Sequence, residues 1–424
     1  MVYPFYVLGK KFLNIMSKRY PSGFLSAFYD PLKNPDAPTI GTATEGDTSA
    51  SVAFTAPSNV GGSAITSYGL QSTPDGIKAS SSSSPISVTG LTNGTPYTFQ
   101  VWALNTYGPS AFSGASNSVT PSVPAIGIFA GGFNGSIDGT NLIQYITIAT
   151  TGNASTFGDL TLRRYRAAGC ASSTRGVFAG GLYGPPNTDT NVMDYVTIAT
   201  TGNATDFGDL STVRYLHAGC NSSTRGLFGG GYNLNGTETN VIEYITIASV
   251  GSTTDFGDMA SSRYGTGSCS SPTRGVWAGG YDDPNVINVI EYVTIATTGD
   301  ATDFGDLPVI TYNCVGGGSS TRGVFAGGQS TNNFTRTNVI NYITIASTGN
   351  ATDFGDLSNQ VNAVGCASST LRAVFAGGAT TAFTGGINVI EYITIASTGN
   401  ATDFGDLTIV AVATGGCSNA NGGL

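Results

Sequence analysis

The sequence predicts an all-β protein, most of it six copies of one unit. Three markers carry this. An aromatic residue before Ala/Gly-Gly-Gly recurs at Phe129, Phe178, Phe228, Trp277, Phe325 and Phe375, in steps of 49, 50, 49, 48 and 50 residues. A tyrosine in an Ile/Val/Thr-rich segment keeps step at Tyr145, Tyr195, Tyr244, Tyr292, Tyr342 and Tyr392. So does the aromatic before Gly-Asp, at Phe157, Phe207, Phe256, Phe304, Phe354 and Phe404. Three markers in phase at a period near 50 residues point to a solenoid or a propeller.

The 424 residues suffice for two or three domains and a large buried core. Only 10% of them are charged, where about 25% is usual. Such a chain stays soluble through hydroxyls and amides, as secreted β-proteins and virion surface proteins often do. The charge is segregated. Residues 1–35 hold five positive side chains against Asp30, a net of +4; the whole is −9, so the rest carries −13. A basic arm on an acidic body suggests that the arm docks on something and that the body repels nucleic acid.

Residues 1–35 read as an anchoring arm. Phe5, Leu8, Phe12 and Ile15 fall at helical spacing and are its candidate anchors. Tyr20, Phe24, Phe28 and Tyr29 follow, aromatics with no counterpart in the repeats. The alternatives are a loose tail or a flap over the next domain. No run is long enough to span a membrane. The lysines follow the apolar residues 2–8, the reverse of a secretory signal, so none is expected.

Residues 36–121 read as a sandwich. Ser51–Phe54, Ile65–Leu70, Pro85–Val88 and Thr98–Ala103 are short strands separated by turn signals such as Pro57 and Gly61-Gly62. Leu91-Thr92-Asn93-Gly94-Thr95-Pro96-Tyr97 resembles the tyrosine corner of a fibronectin type III domain, with Tyr97 as its tyrosine. Val101, Ala103, Asn105, Gly108 and the closing Val119-Thr120-Pro121 also fit. Phe54 stands where that family usually has tryptophan. Without an Arg-Gly-Asp, the resemblance implies a spacer rather than an integrin ligand.

Residues 122–424 read as six blades of four antiparallel strands each. The double glycine, the tyrosine and the later aromatic resemble a kelch-type β-propeller, with phenylalanine where that family usually has tryptophan. The first copy begins at a second strand, Ile126–Phe129, and residues 408–418 form a first strand with no blade after it. The C-terminal strand is therefore expected to complete blade one and close the ring, removing open edges. Copies two to six share an arginine at Arg175, Arg225, Arg274, Arg322 and Arg372, and an aspartate at Asp206, Asp255, Asp303, Asp353 and Asp403; copy one lacks both. This co-occurrence predicts one Arg–Asp pair per blade in five blades.

The turns Ser-Ser-Thr-Arg-Gly and Thr-Gly-Asn-Ala-Thr barely vary between copies, whereas the loops joining second to third strands all differ. Strand alternation puts the uniform turns on one face and the varied loops on the other. Binding tends to sit on loops held by a rigid scaffold. Tyr183, Tyr232, Tyr281, Asp282, Asp283, Phe334 and Arg336 are the candidate recognition residues, drift of exposed loops being the alternative.

No catalytic or metal constellation emerges, and no cofactor is expected. Cys170, Cys220, Cys269, Cys366 and Cys417 read as one register, with Cys314 three residues early. Spread round a ring, they are expected to be free and buried, which suits a reducing cytoplasm. His217 is the only histidine and lies in a repeat strand, so it reads as structural. Glu243, Glu291 and Glu391 are repeat-borne, with Gln144, Asp194 and Asn341 at the same place.

The sum is a non-enzymatic protein similar to the propeller-bearing structural proteins of tailed phages. That resemblance implies a virion protein, tail-associated or capsid-decorating, assembled in the host cytoplasm and displayed on the particle in multiple copies. The arm would meet other virion proteins and the propeller loops a host-surface glycan or protein, with no membrane insertion. A bacterial surface adhesin or lectin is the alternative, and a glycan-active enzyme a weaker one.

Overall fold

A computed structural model describes residues 32–135, 139–184, 186–330, 335–381 and 385–424. The arm residues Phe5, Leu8, Phe12 and Ile15, and Phe334, lie outside the described residues. The chain divides into two compact units, with the boundary between Pro124 and Ala125. Every regular element among the described residues is a β-strand.

The first unit holds β1 (Thr39–Gly46), β2 (Ser49–Thr55), β3 (Ser67–Thr73), β4 (Lys78–Ser81), β5 (Ile86–Thr89), β6 (Thr98–Asn105) and β7 (Gly108–Pro109). They form two sheets, β1-β2-β5 and β4-β3-β6-β7. Alternate residues of β2, β5 and β6 are buried, as the period of a half-buried strand requires. Phe54 packs on Tyr68, ring centres 4.5 Å apart, in the place foreseen for tryptophan. The buried Tyr97 hydroxyl donates to Asp75 Oδ2 at 2.7 Å and accepts from the Thr92 amide at 3.1 Å. Beyond β7 a comb of serines edges β6. The amides of Phe99, Val101 and Ala103 donate to the hydroxyls of Ser116, Ser113 and Ser110 at 3.0, 2.9 and 2.9 Å. The amides of those serines donate back to the carbonyls of the same three residues.

The second unit contains six four-stranded antiparallel sheets. In the second, Ala168–Ala171, Arg175–Tyr183, Thr188–Thr197 and Thr205–Asp209 lie in sequence order. The first sheet has the order Ser155–Asp159, Leu142–Thr147, Ile126–Ala130 and Gly415–Ser418. Gly416 pairs with Phe129 and Cys417 with Ile128, so this sheet takes strands from both ends of the unit. Apolar cores lie between consecutive sheets. Phe228 and Ile245 of the third pack with Phe207 and Met193 of the second. Phe129 and Ile146 of the first pack with Val374 and Phe404 of the sixth.

A cycle of backbone hydrogen bonds runs through all six repeats. Leu216 donates to Arg166, Gly265 to Leu216, Asn313 to Gly265, Ala363 to Asn313, Ala413 to Ala363 and Arg166 to Ala413, at 2.7–3.4 Å. All six donors have positive φ, and four of them are neither glycine nor asparagine. The double glycine has its own steric reason. A Cβ on Gly180 would lie 2.5 Å from the Arg214 carbonyl oxygen, and one on Gly181 2.7 Å from that of Tyr165.

Two expectations are corrected. The expected Arg–Asp pairs do not form. The Arg175 guanidinium lies over its own sheet's Tyr195 ring, 4.7 Å from the centre, and donates to the carbonyls of Ile247 and Ala248 at 3.1 and 2.8 Å. Arg225, Arg274, Arg322 and Arg372 do likewise toward the next sheet, the last reaching Ile148 and Ala149. A cation over a π-face with carbonyl acceptors is better satisfied here than beside an exposed aspartate. The cysteine register also differs. Cys366 pairs with Phe375, while Ala367 holds the place of Cys170, Cys220, Cys269 and Cys417. One residue of slip turns a strand side chain to the other face.

Candidate functional site

The varied loops touch one another. Leu234 donates its amide to Asp189 Oδ2 at 2.9 Å, Asp283 its amide to Glu238 Oε2 at 3.3 Å, and Arg336 a guanidinium N–H to the Thr381 carbonyl. Arg336 also donates to Asn362 Oδ1 at 3.2 Å. Tyr183 ends its strand opposite Thr188, and Asp282 pairs with Asn285 in a short hairpin.

On the same side lies an aromatic arc. Phe133 meets Tyr165 at 5.7 Å between ring centres, and the Arg166 guanidinium sits over both Tyr165 and Tyr215, at 5.9 and 5.6 Å. Tyr215 meets Tyr232, Tyr232 meets Tyr264, and Tyr264 meets Tyr281 and Tyr312, at 4.8–5.7 Å. Of the sequence candidates, the arc includes Tyr232 and Tyr281. Tyr165, Tyr215, Tyr264 and Tyr312 were missed. They share one repeat position, which Asn362 and Val412 hold in the other two copies. A tyrosine present in four copies of six was the available signal. Burial raises the Tyr264 phenol well above its ordinary value, aided by Tyr312 and Glu238.

Beside the arc, a cavity of about 120 Å³ is lined by the first strands of all six sheets and by Arg166, Leu216, Gly265, Asn313, Ala363 and Ala413. A second, smaller hollow of about 50 Å³ lies farther along the same strands, lined also by Asn421 and Gly422. Asn421 and Asn221 exchange amide hydrogen bonds there at 3.1 and 2.9 Å.

Ionisable groups inside the sheets are paired or silenced. Arg164 meets Asp194 at 2.9 Å, Arg214 meets Glu243 at 3.0 Å, and Arg263 meets Glu291, all buried. These arginines open their repeats; Thr311, Val361 and Ala411 replace them elsewhere. Glu391 has no arginine opposite. It accepts the Ser358 amide at 2.8 Å, and burial raises its pKa. His217 is held well below its ordinary value, first by burial and then by Arg214 and Arg164. All six cysteines are free and buried, and burial pushes Cys314 up to about 11 and Cys417 to about 12. These thiols stay neutral at physiological pH, which makes them poor nucleophiles.

The family model of the fibronectin type III domain matches residues 36–119, the stretch that carries the Tyr97 corner. A search of curated proteins finds no match to the chain.

Proposed function

We propose that residues 125–424 form a six-bladed kelch-type β-propeller, its first blade completed by Gly415–Ser418. We further propose that the chain is a non-enzymatic bacteriophage virion protein, tail-associated or capsid-decorating. The propeller face meets a host-surface glycan or protein, and residues 1–35 dock on other virion proteins. Support for the ring comes from the hydrogen-bond cycle through Arg166 and Ala413. Support for recognition rests on one observation. Near-identical repeats gather their tyrosines into one lopsided arc, from Tyr165 to Tyr312, where varied loops converge. Tyrosines offer rigid amphipathic contact area at low entropic cost.

The non-enzymatic reading follows from the same groups. The buried histidine is held neutral, the thiols are protonated, and three of the repeat carboxylates are tied to arginines. The test has two parts. Purified phage particles imaged with a label on this chain should carry it at regular positions. The purified full chain should bind bacterial surface polysaccharide or whole cells without releasing fragments, and Tyr264→Ser should weaken that binding about tenfold or more. Unlabelled particles, or release of sugar fragments, would overturn the reading.

A further inference from the structure

We propose that residues 419–424 are a clasp: they hold the strand that completes the first sheet by crossing to the third, fourth and fifth. That strand is weakly held by its own pairing. Gly415–Ser418 has four residues, lies at the end of its sheet and has Ile126–Ala130 as its one strand neighbour. Short strands with few partners open locally at low cost.

The segment beyond it is bonded step by step. The Asn419 side-chain oxygen accepts the Ile126 amide at 2.7 Å, and the Asn419 amide donates to the Ile126 carbonyl at 3.3 Å. Asn421 then reaches the third sheet, where it and Asn221 exchange amide hydrogen bonds. Gly423 and Leu424 donate their amides back to Asn421, to Oδ1 at 2.9 Å and to the carbonyl at 3.1 Å, and this turn fixes the side chain that meets Asn221. Asn221 is 2% exposed and also accepts the Ala171 amide of the second sheet at 3.2 Å.

Two further observations single out this route. Asn221 occupies a repeat position that Ala171, Ser270, Gly318, Ser368 and Ser418 hold in the other copies. One copy of six carries an amide there, and it is the copy that Asn421 meets. Gly422 and Gly423 are fitted to the passage. A Cβ on Gly422 would collide with the Ser319 carbonyl oxygen and lie 2.5 Å from that of Ser270, and one on Gly423 would collide with that of Asn221. Ser270 ends the first strand of the fourth sheet, and Ser319 follows that of the fifth. Neither glycine has positive φ, so close approach rather than conformation requires them. Seated this way, the segment covers the hollow of about 50 Å³ at the end away from the tyrosine arc.

Amide exchange of the full chain, read by mass spectrometry, tests the clasp. In the parent, the Gly423 and Leu424 amides should exchange about tenfold or more slower than in an unfolded chain. Asn421→Ala removes the bonds to Asn221, and Gly423→Ala drives the segment from its passage. Each should speed exchange across Gly415–Ser418 and Ile126–Ala130 about tenfold. The matching strands Gly365–Ser368 and Arg372–Ala376 of the sixth sheet should stay within about twofold of the parent. Unprotected Gly423 and Leu424 amides in the parent would overturn the inference, and that measurement decides even where a variant fails to fold. Unchanged exchange at Gly415–Ser418 in both variants, or an equal rise in the sixth sheet, would overturn it too. The clasp does not depend on what the tyrosine face binds, so its failure would leave the proposed function standing.

Discussion

Arg372 and Tyr392 lie face to face, the guanidinium carbon 4.4 Å from the ring centre. The same guanidinium donates to the carbonyls of Ile148 and Ala149 at 3.1 and 3.0 Å, tying the sixth sheet to the first. Arg372→Met should therefore cost about 1–2 kcal/mol through the lost cation–π contact and hydrogen bonds. Asp403→Asn should stay within about 0.5 kcal/mol. Urea unfolding of the two variants checks this; the opposite ranking would restore Asp403 as the partner of Arg372.

Arg263 and Glu291 are both buried in the fourth sheet. Arg263→Met alone strands an ionised carboxylate and should cost about 3–5 kcal/mol. Adding Glu291→Leu should recover most of that loss, because the stranded charge rather than the missing pair dominates. A double variant no more stable than the single one would contradict this account.

Glu391 gives a pH dependence with a definite sign. Its folded pKa lies above the ordinary 4.5, so burial disfavours the charged form. Its contribution to stability is fully present below pH 4.5 and is lost as pH rises through the folded value. Glu391→Gln should raise the thermal midpoint at pH 7 and leave it unchanged well below pH 4.5. An equal shift at both pH values would point to packing instead.

The sandwich has its own test in Tyr97. Phenylalanine there leaves the Thr92 amide and the Asp75 carboxylate without their shared partner. The expected cost is about 1–3 kcal/mol. The chain has two tryptophans, Trp102 in the sandwich and Trp277 in the repeats. Trp102 fluorescence in a Trp277→Phe background should shift its midpoint, while the repeat unit's transition stays in place.

Repetition and alternation made most of the fold legible. Four of the sandwich strands and the pairing of Gly415–Ser418 with the first sheet follow from burial period and from the phase of the copies. The edge strand Thr39–Gly46 did not stand out, because only Ala43 of its eight residues is buried. The serine comb at Ser110, Ser113 and Ser116 was hidden too: a spacing of three matches no strand period. At the candidate site, Tyr232 and Tyr281 were found as bulky loop residues. Tyr165, Tyr215, Tyr264 and Tyr312 were not, because they precede the first strands and looked like repeat filler. The buried pairs escaped for a related reason. Arg164, Arg214 and Arg263 sit in short varied connections, and only the joint loss of charge at Thr311 with Asn341 and at Ala411 with Gln144 marks their partners.

The position that holds arginine in five copies is Ile126 in the first, so the boundary between the first and second sheets has no guanidinium latch. That boundary adjoins the sheet assembled from Gly415–Ser418 and Ile126–Ala130, the sheet that also carries the link to the sandwich. Tension arriving along the chain therefore reaches first a boundary that lacks this latch. Amide exchange at that boundary should be faster than at the matching turns of the five latched ones.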